Sequence, residues 1–169
     1  MQKVLASDRA WLQSSLHGLL AGAMRAMEGA GRAVCDFPDA VPWECTMDMA
    51  RRVWDKARHV DIFTHLLAHV EGSLRDSPET VMAWRSASAQ APEERVAGID
   101  RGLEGLAGDA LAQLMVLARQ VGDPVMEHAL NFMLADELTH ACMRRKWLRE
   151  LPANAPERLL SVNQYHKSS

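Results

Sequence analysis

The stretch Asp136-Glu137-Leu138-Thr139-His140 decides how this chain is read, because a Glu and a His three residues apart share one face of a helix and can reach a common centre. Eighty-one positions earlier stands Asp55-Lys56-Ala57-Arg58-His59, the same Asp-x-x-x-His frame with lysine where the second copy has Glu137. A frame repeated on two helices points to an internal two-fold echo.

Around the first copy, a helix is expected from about Trp43 to Val70, without Gly or Pro, opened by Pro42 after the break Asp36-Phe37-Pro38-Asp39. Along it Arg52, Lys56, His59 and Phe63 fall on one stripe, with Asp55 beside it. His65 and His69 read as ordinary surface or packing histidines. The preceding helix is capped by Ser7 or Asp8 and runs to about Cys35, with Trp11, Leu12, Leu16, Leu19, Leu20, Ala23, Met27 and Ala30 near helical spacing. Glu28 has Ala21, Met24 and Gly31 as its helical neighbours, so its carboxylate is expected to face inward and to need a partner there. The competing reading turns Glu28 outward, paired with Arg25 or Arg32.

Around the second copy, Gly122-Asp123-Pro124 supplies a helix end, a cap and a helix start, and the last helix continues to about Leu151, where Pro152 stops it. The third helix is expected over about Glu93 to Val121, with Val96, Ile99, Leu103, Leu106, Leu111, Leu114 and Leu117 inward and Glu104 as a second inward carboxylate. The connection from Gly72 to Pro92 holds a short helix carrying Met82 and Trp84, and its length lets the third helix run parallel to the second. The fold class is therefore all-α, a four-helix bundle over residues 1–152 with a long crossover between the second and third helices, followed by a polar tail, 153–169.

Composition agrees. The chain is 48% apolar, rich in Ala, Leu and Met and poor in Tyr, Phe and Ile, which favours helix over sheet. A net charge of −3 gives no general attraction to nucleic acid or anionic membrane. No run of about eighteen apolar residues and no signal peptide is evident, so a cytoplasmic location is expected. Cys35, Cys45 and Cys142 are too few and too scattered for a disulfide framework or a zinc site, and read as small buried hydrophobes.

Four helices bringing Glu28, the position-56 frame, Glu104 and the Glu137–His140 pair to one level make the donor set of a carboxylate-bridged dinuclear site, and hard oxygen donors with one imidazole per metal suit Fe or Mn. On Glu28, His59, Glu104, Glu137 and His140, and on the run PWECTMDMARRVWDKARHVDIF, the chain resembles the ferritin-like di-iron carboxylate superfamily, in particular bacterial ferritin-like proteins with a WDEARH-type second helix. The resemblance covers about residues 8 to 150. It implies those five residues as metal ligands, and it implies that Asp136 orients His59 while Asp55 orients His140. It also implies a glutamate at position 56, where this chain has Lys56.

That departure leaves several readings open. Lys56 pairs with a vacated carboxylate such as Glu28, and the site holds one metal or none; or it swings aside or is neutral, and an asymmetric dinuclear site forms; or it takes part in chemistry as a base, a Schiff-base amine or an oxidised group. A slip that makes Asp55 a ligand is the fourth. The function expected is a metal-dependent oxidase or oxygenase using O₂ and an electron donor on a small organic substrate, with Met24, Met27, Phe63, Met115, Phe132 and Met133 as pocket candidates that also fit a core. The alternative is a non-catalytic ferritin-like protein or subunit in which Lys56 replaces one metal and the bundle serves binding or assembly. A tyrosyl-radical route is disfavoured, since Tyr165 lies beyond the last helix, and a homodimer through an apolar bundle face is possible.

Overall fold

Apolar residues at helical spacing and two strong chain reversals produce four long helices: α1 (Ala6–Asp36), α2 (Trp43–His69), α3 (Glu104–Val121) and α4 (Pro124–Ala153). The computed structural model describes residues 6–36, 41–75 and 104–153, with side chains for 9–36, 41–75 and 108–151, and all regular structure among the described residues is helical. The crossover over 76–103, with the short helix expected at Met82 and Trp84 and the first turns expected of the third helix, lies outside the described residues, as does 154–169. Ser7 and Asp8, expected as caps, fall inside the first turn of α1, which begins at Ala6. α4 runs on to Ala153, past Pro152; in a last turn the missing proline N–H removes only one hydrogen bond.

α1 packs on α2 and α3 on α4, while α2 lies against α4 and α1 against α3. Contacts fix the directions. On α2 and α4, Asp48 accepts from Trp147 Nε1 at 2.8 Å, Lys56 meets Glu137, and His69 meets Asp123 at 2.8 Å, so partner numbers fall on one helix as they rise on the other. The turn at Gly122 reverses α3 into α4, and α2 and α3 therefore run in the same direction. Both ends that face this turn are closed by the same device. Gly122 takes a positive φ of 69°, with Gly122 N–H to the Arg119 carbonyl and Asp123 N–H to that of Ala118. α2 ends in the same pattern, with Glu71 at φ 61° and Gly72 N–H donating to the Leu67 carbonyl at 2.8 Å. A Cβ at Gly72 would stand 2.7 Å from Leu67 Cδ1, so a side chain there would push Leu67 aside.

The interior is layered. Leu12, Leu16, Leu20, Phe63, Leu66, Leu67, Leu111, Leu114, Met126, Leu130 and Met133 form the larger apolar core, and Ala33, Cys45, Met49, Trp147 and Leu151 a smaller one toward the other end. Between them α2 contributes residues 52–59 and α4 residues 136–140, where Arg52, Asp55, Lys56, His59, Asp136, Glu137 and His140 are all buried. α1 passes this level with Ala26, Gly29 and Ala30 inward. The two frames singled out by sequence thus sit at one level inside the bundle.

Asp123 caps α4 by accepting from Met126 N–H at 3.0 Å, and it also holds His69. Burial raises its pKa, but the hydrogen bonds from Met126, His69 and Val125 outweigh that and hold it below the usual carboxylate value. Replacing Asp123 by Ala removes the cap and the link between α2 and α4 together. The expected loss is about 1 kcal/mol, read as a fall in Tm of about 2–4 °C, with Asp123→Asn recovering most of it.

Candidate functional site

Because α2 and α4 are antiparallel, two copies of Asp-x-x-x-His facing each other are related by a local two-fold, and each Asp reaches the histidine of the other helix. His59 Nε2 lies 3.1 Å from Asp136 Oδ2, and His140 Nε2 lies 3.1 Å from Asp55 Oδ2. A carboxylate only accepts, so each Nε2 carries the proton it donates and each ring turns Nδ1 toward the centre. There His59 Nδ1 is 3.1 Å from Glu137 Oε1 and His140 Nδ1 is 3.5 Å from Glu137 Oε2. The ring centroids are 6.2 Å apart.

Lys56 lies against the same carboxylate. Its ammonium donates to both carboxylate oxygens of Glu137, at 2.6 and 2.9 Å, and the two side chains are 5% and 9% exposed. Of the readings left open by the sequence, the structure places Lys56 against a carboxylate, and that carboxylate is Glu137 rather than Glu28.

The outer wall is a residue that sequence reasoning did not single out. Arg58 donates to Asp55 and, at 3.1 Å, to Asp136, so one guanidinium joins both Asp–His pairs; it also lies 5.0 Å over the Phe132 ring. Arg51 adds bonds of 3.0 and 3.3 Å to Asp55. Spacing held the signal, because Arg51 and Arg58 stand four before and three after Asp55 on the same face of α2. The cations Lys56, Arg51 and Arg58 are the partners of the anions Asp55, Asp136 and Glu137. Burial alone raises the pKa of Glu137, yet the adjoining His140 and His59 rings and the charge and hydrogen bonds of Lys56 outweigh it and hold the carboxyl far below its ordinary value. Asp55 is likewise held low against burial by His140 and Arg51.

The other expected ligands are not brought in. Glu28 is half exposed with its carboxylate 3.5 Å from Arg32 Nε, the outward pairing; the inward face of α1 at this level is Ala26, Gly29 and Ala30. Residues 21–31 are so rich in Ala, Gly and Met that apolar neighbours surround nearly every position, and periodicity does not mark the inner side. Glu104 begins α3, and its side chain lies outside the described residues. Among the described residues no three His, Cys, Asp or Glu side chains form a group set to hold a metal as they stand. The dinuclear donor set expected from the resemblance is therefore not assembled among the described residues, while His59, His140 and Glu137 do converge.

Other expectations resolve as packing. Phe63 and Met133 are core, whereas Met24 and Phe132 are exposed, so the proposed pocket lining does not meet at one place. Cys45 is buried, its thiol pushed up to about 11 by burial and by Asp48, but Cys35 and Cys142 are exposed, on faces where the helix pattern allowed either side. No helix among the described residues is long and apolar enough to cross a membrane.

The chain belongs to the family described as "Protein of unknown function (DUF455)". The match runs over residues 6–168 and includes both Asp-x-x-x-His frames. No curated protein matches the chain.

Lys56→Met should leave Glu137 buried without its cation and cost about 3–5 kcal/mol, whereas Lys56→Met combined with Glu137→Leu should recover most of that loss. Denaturant unfolding of the two single variants and the double variant checks this. A carboxyl whose folded pKa is lowered contributes stability above its ordinary value and loses it as pH falls. The protein should therefore weaken progressively below about pH 4.5, the ordinary value for Glu137, and Glu137→Gln should flatten that slope.

Proposed function

We propose that this chain is a ferritin-like bundle whose centre is closed by its own lysine, and that it works as a non-catalytic binding or assembly protein. The observation that carries this reading is the bidentate contact of Lys56 with Glu137, two buried side chains at the point where the resemblance calls for metal-bridging carboxylates. Two unit charges of like sign 4 Å apart repel by about 4 kcal/mol at an effective dielectric constant of 20, and a divalent ion doubles that. A metal entering here has to displace the ammonium from its carboxylate as well. The outward Glu28 supports the same reading, since a vacated ligand position has no need of its carboxylate.

A second reading is favoured by one specific observation, the crossed Asp–His pairs, which turn both Nδ1 atoms toward the centre as metal-binding imidazoles are turned. In it the chain is an Fe- or Mn-dependent oxidase or oxygenase, and His59, His140 and Glu137 would hold one ion once Lys56 withdraws. Such an ion supplies O₂ activation. Asp55 and Asp136 would hold the ring protons at Nε2, Arg58 would fix both carboxylates, and the apolar cores above and below would exclude water.

Elemental analysis of protein expressed with Fe and with Mn, beside the Lys56→Glu variant, separates the two. The closed-centre reading expects substoichiometric metal in the unaltered protein and a clear gain in Lys56→Glu. Near-stoichiometric metal in the unaltered protein overturns it in favour of the oxidase. No metal in either, with both folded, overturns the descent of the centre from a metal site.

A further inference from the structure

The side of α2 that faces away from the Lys56–Glu137 pair carries the most exposed large apolar side chains of the helix. Trp43 is 70% exposed, Met47 49% and Trp54 65%. With Ala50, also exposed, they stand at spacings of four, three and four, which draws one straight stripe over three turns. Core-facing positions of the same helix are Cys45, Met49, Arg52 and Lys56, so the stripe lies outside whatever the centre holds. Scattered surface Leu or Val needs no explanation, but two indoles and a methionine in register form a patch of the kind that marks an interface, and Trp is the residue that most often anchors one.

We infer that this stripe is a two-fold interface between two copies of this chain, packed α2 against α2 in antiparallel fashion. The occupant follows from the pattern, because the stripe is complementary to itself. An antiparallel two-fold centred between Met47 and Ala50 sets Trp43 of one copy against Trp54 of the other and Met47 against Ala50, a large residue facing a large one at each end and a long one filling the space over a small one in the middle. The charges agree. Glu44 and Arg51 are both exposed, seven residues apart, and therefore lie on one flank of the stripe. A two-fold of this kind brings like flanks together, so Glu44 of each copy falls within a turn of Arg51 of the other, giving two symmetric ion pairs and no like-charge contact at the rim. The indoles and Met47 offer on the order of 400 Å² per copy, about half of the roughly 800 Å² each partner brings to a stable interface. The dimer is accordingly a weak one that assembles with concentration.

Sedimentation equilibrium of the full chain, from low to several hundred micromolar, tests this. The expected result is a monomer–dimer equilibrium that Trp43→Glu or Trp54→Glu weakens by at least about 30-fold. Val116→Glu, at an exposed apolar position on α3, should leave it unchanged. A charge reversal tests the register. Glu44→Arg should associate less well than the unaltered chain, since it sets a second cation against Arg51 of the other copy, with circular dichroism confirming that it remains folded. A chain that stays monomeric throughout overturns the inference. So does a dimer indifferent to Trp43 and Trp54, a dimer lost equally in Val116→Glu, or a dimer indifferent to Glu44→Arg. A monomer that instead binds vesicles or another protein through these indoles also overturns it.

Discussion

An ammonium and a carboxylate that meet in the interior must recover, from each other and their neighbours, what they lose by leaving water, several kcal/mol per ion. Lys56 and Glu137 meet that condition only because the whole layer is organised around them. Two imidazoles bracket the Glu137 carboxylate, two aspartates hold the imidazoles, and Arg58 ties the aspartates to each other and to Phe132. These groups are one another's partners, so removing one of them leaves another to bear the cost of burial. The layer also sets register. A slip of four residues between α2 and α4 would bring Lys56 against Met133 or Ala141, neither of which accepts its protons, whereas an apolar seam of Leu and Met would tolerate the slip far better.

The polar layer explains the shape of the interior on either side of it. Long side chains such as Arg52, Lys56 and the two histidines need room, and α1 supplies it with Ala26, Gly29 and Ala30 where elsewhere it inserts Leu12, Leu16 and Leu20. The result is two apolar cores sealed from one another by hydrogen-bonded charge. Each fully buried Leu in them contributes about 1.5–3 kcal/mol, which is what offsets the cost of a charged middle.

The helices were legible because their signals are local. Gly122-Asp123-Pro124 marks a chain reversal whatever surrounds it, and the stripe Arg52, Lys56, His59 and Phe63 named the buried face of α2, polar members included. The meeting of the two frames was legible for a similar reason, since a doubled Asp-x-x-x-His has few ways to satisfy four buried polar groups other than by facing its copy. Glu28 was not legible. Its inner or outer placement depends on the rotation of α1 about its own axis, and an Ala-, Gly- and Met-rich segment leaves that rotation to be set by Leu12, Leu16 and Leu20, about two to four turns before it. Arg58 was hidden differently: its exposure of about a third looks like an ordinary surface arginine, and only the third dimension shows that it joins two aspartates from different helices.

The charge at position 56 decides what kind of centre this frame can be. A glutamate there would set a second carboxylate beside Glu137, and two buried like charges ionise together only if a cation comes in from outside or one of them takes a proton. A lysine supplies the cation from within the chain. It meets the electrostatic demand of Glu137 at once on folding, needs no metal from the cell, and cannot diffuse away. A centre satisfied in this way has its inward-facing groups already engaged with one another, so recognition of anything larger than an ion has to happen on the outside of the bundle. On α2 the outside is where the indoles are.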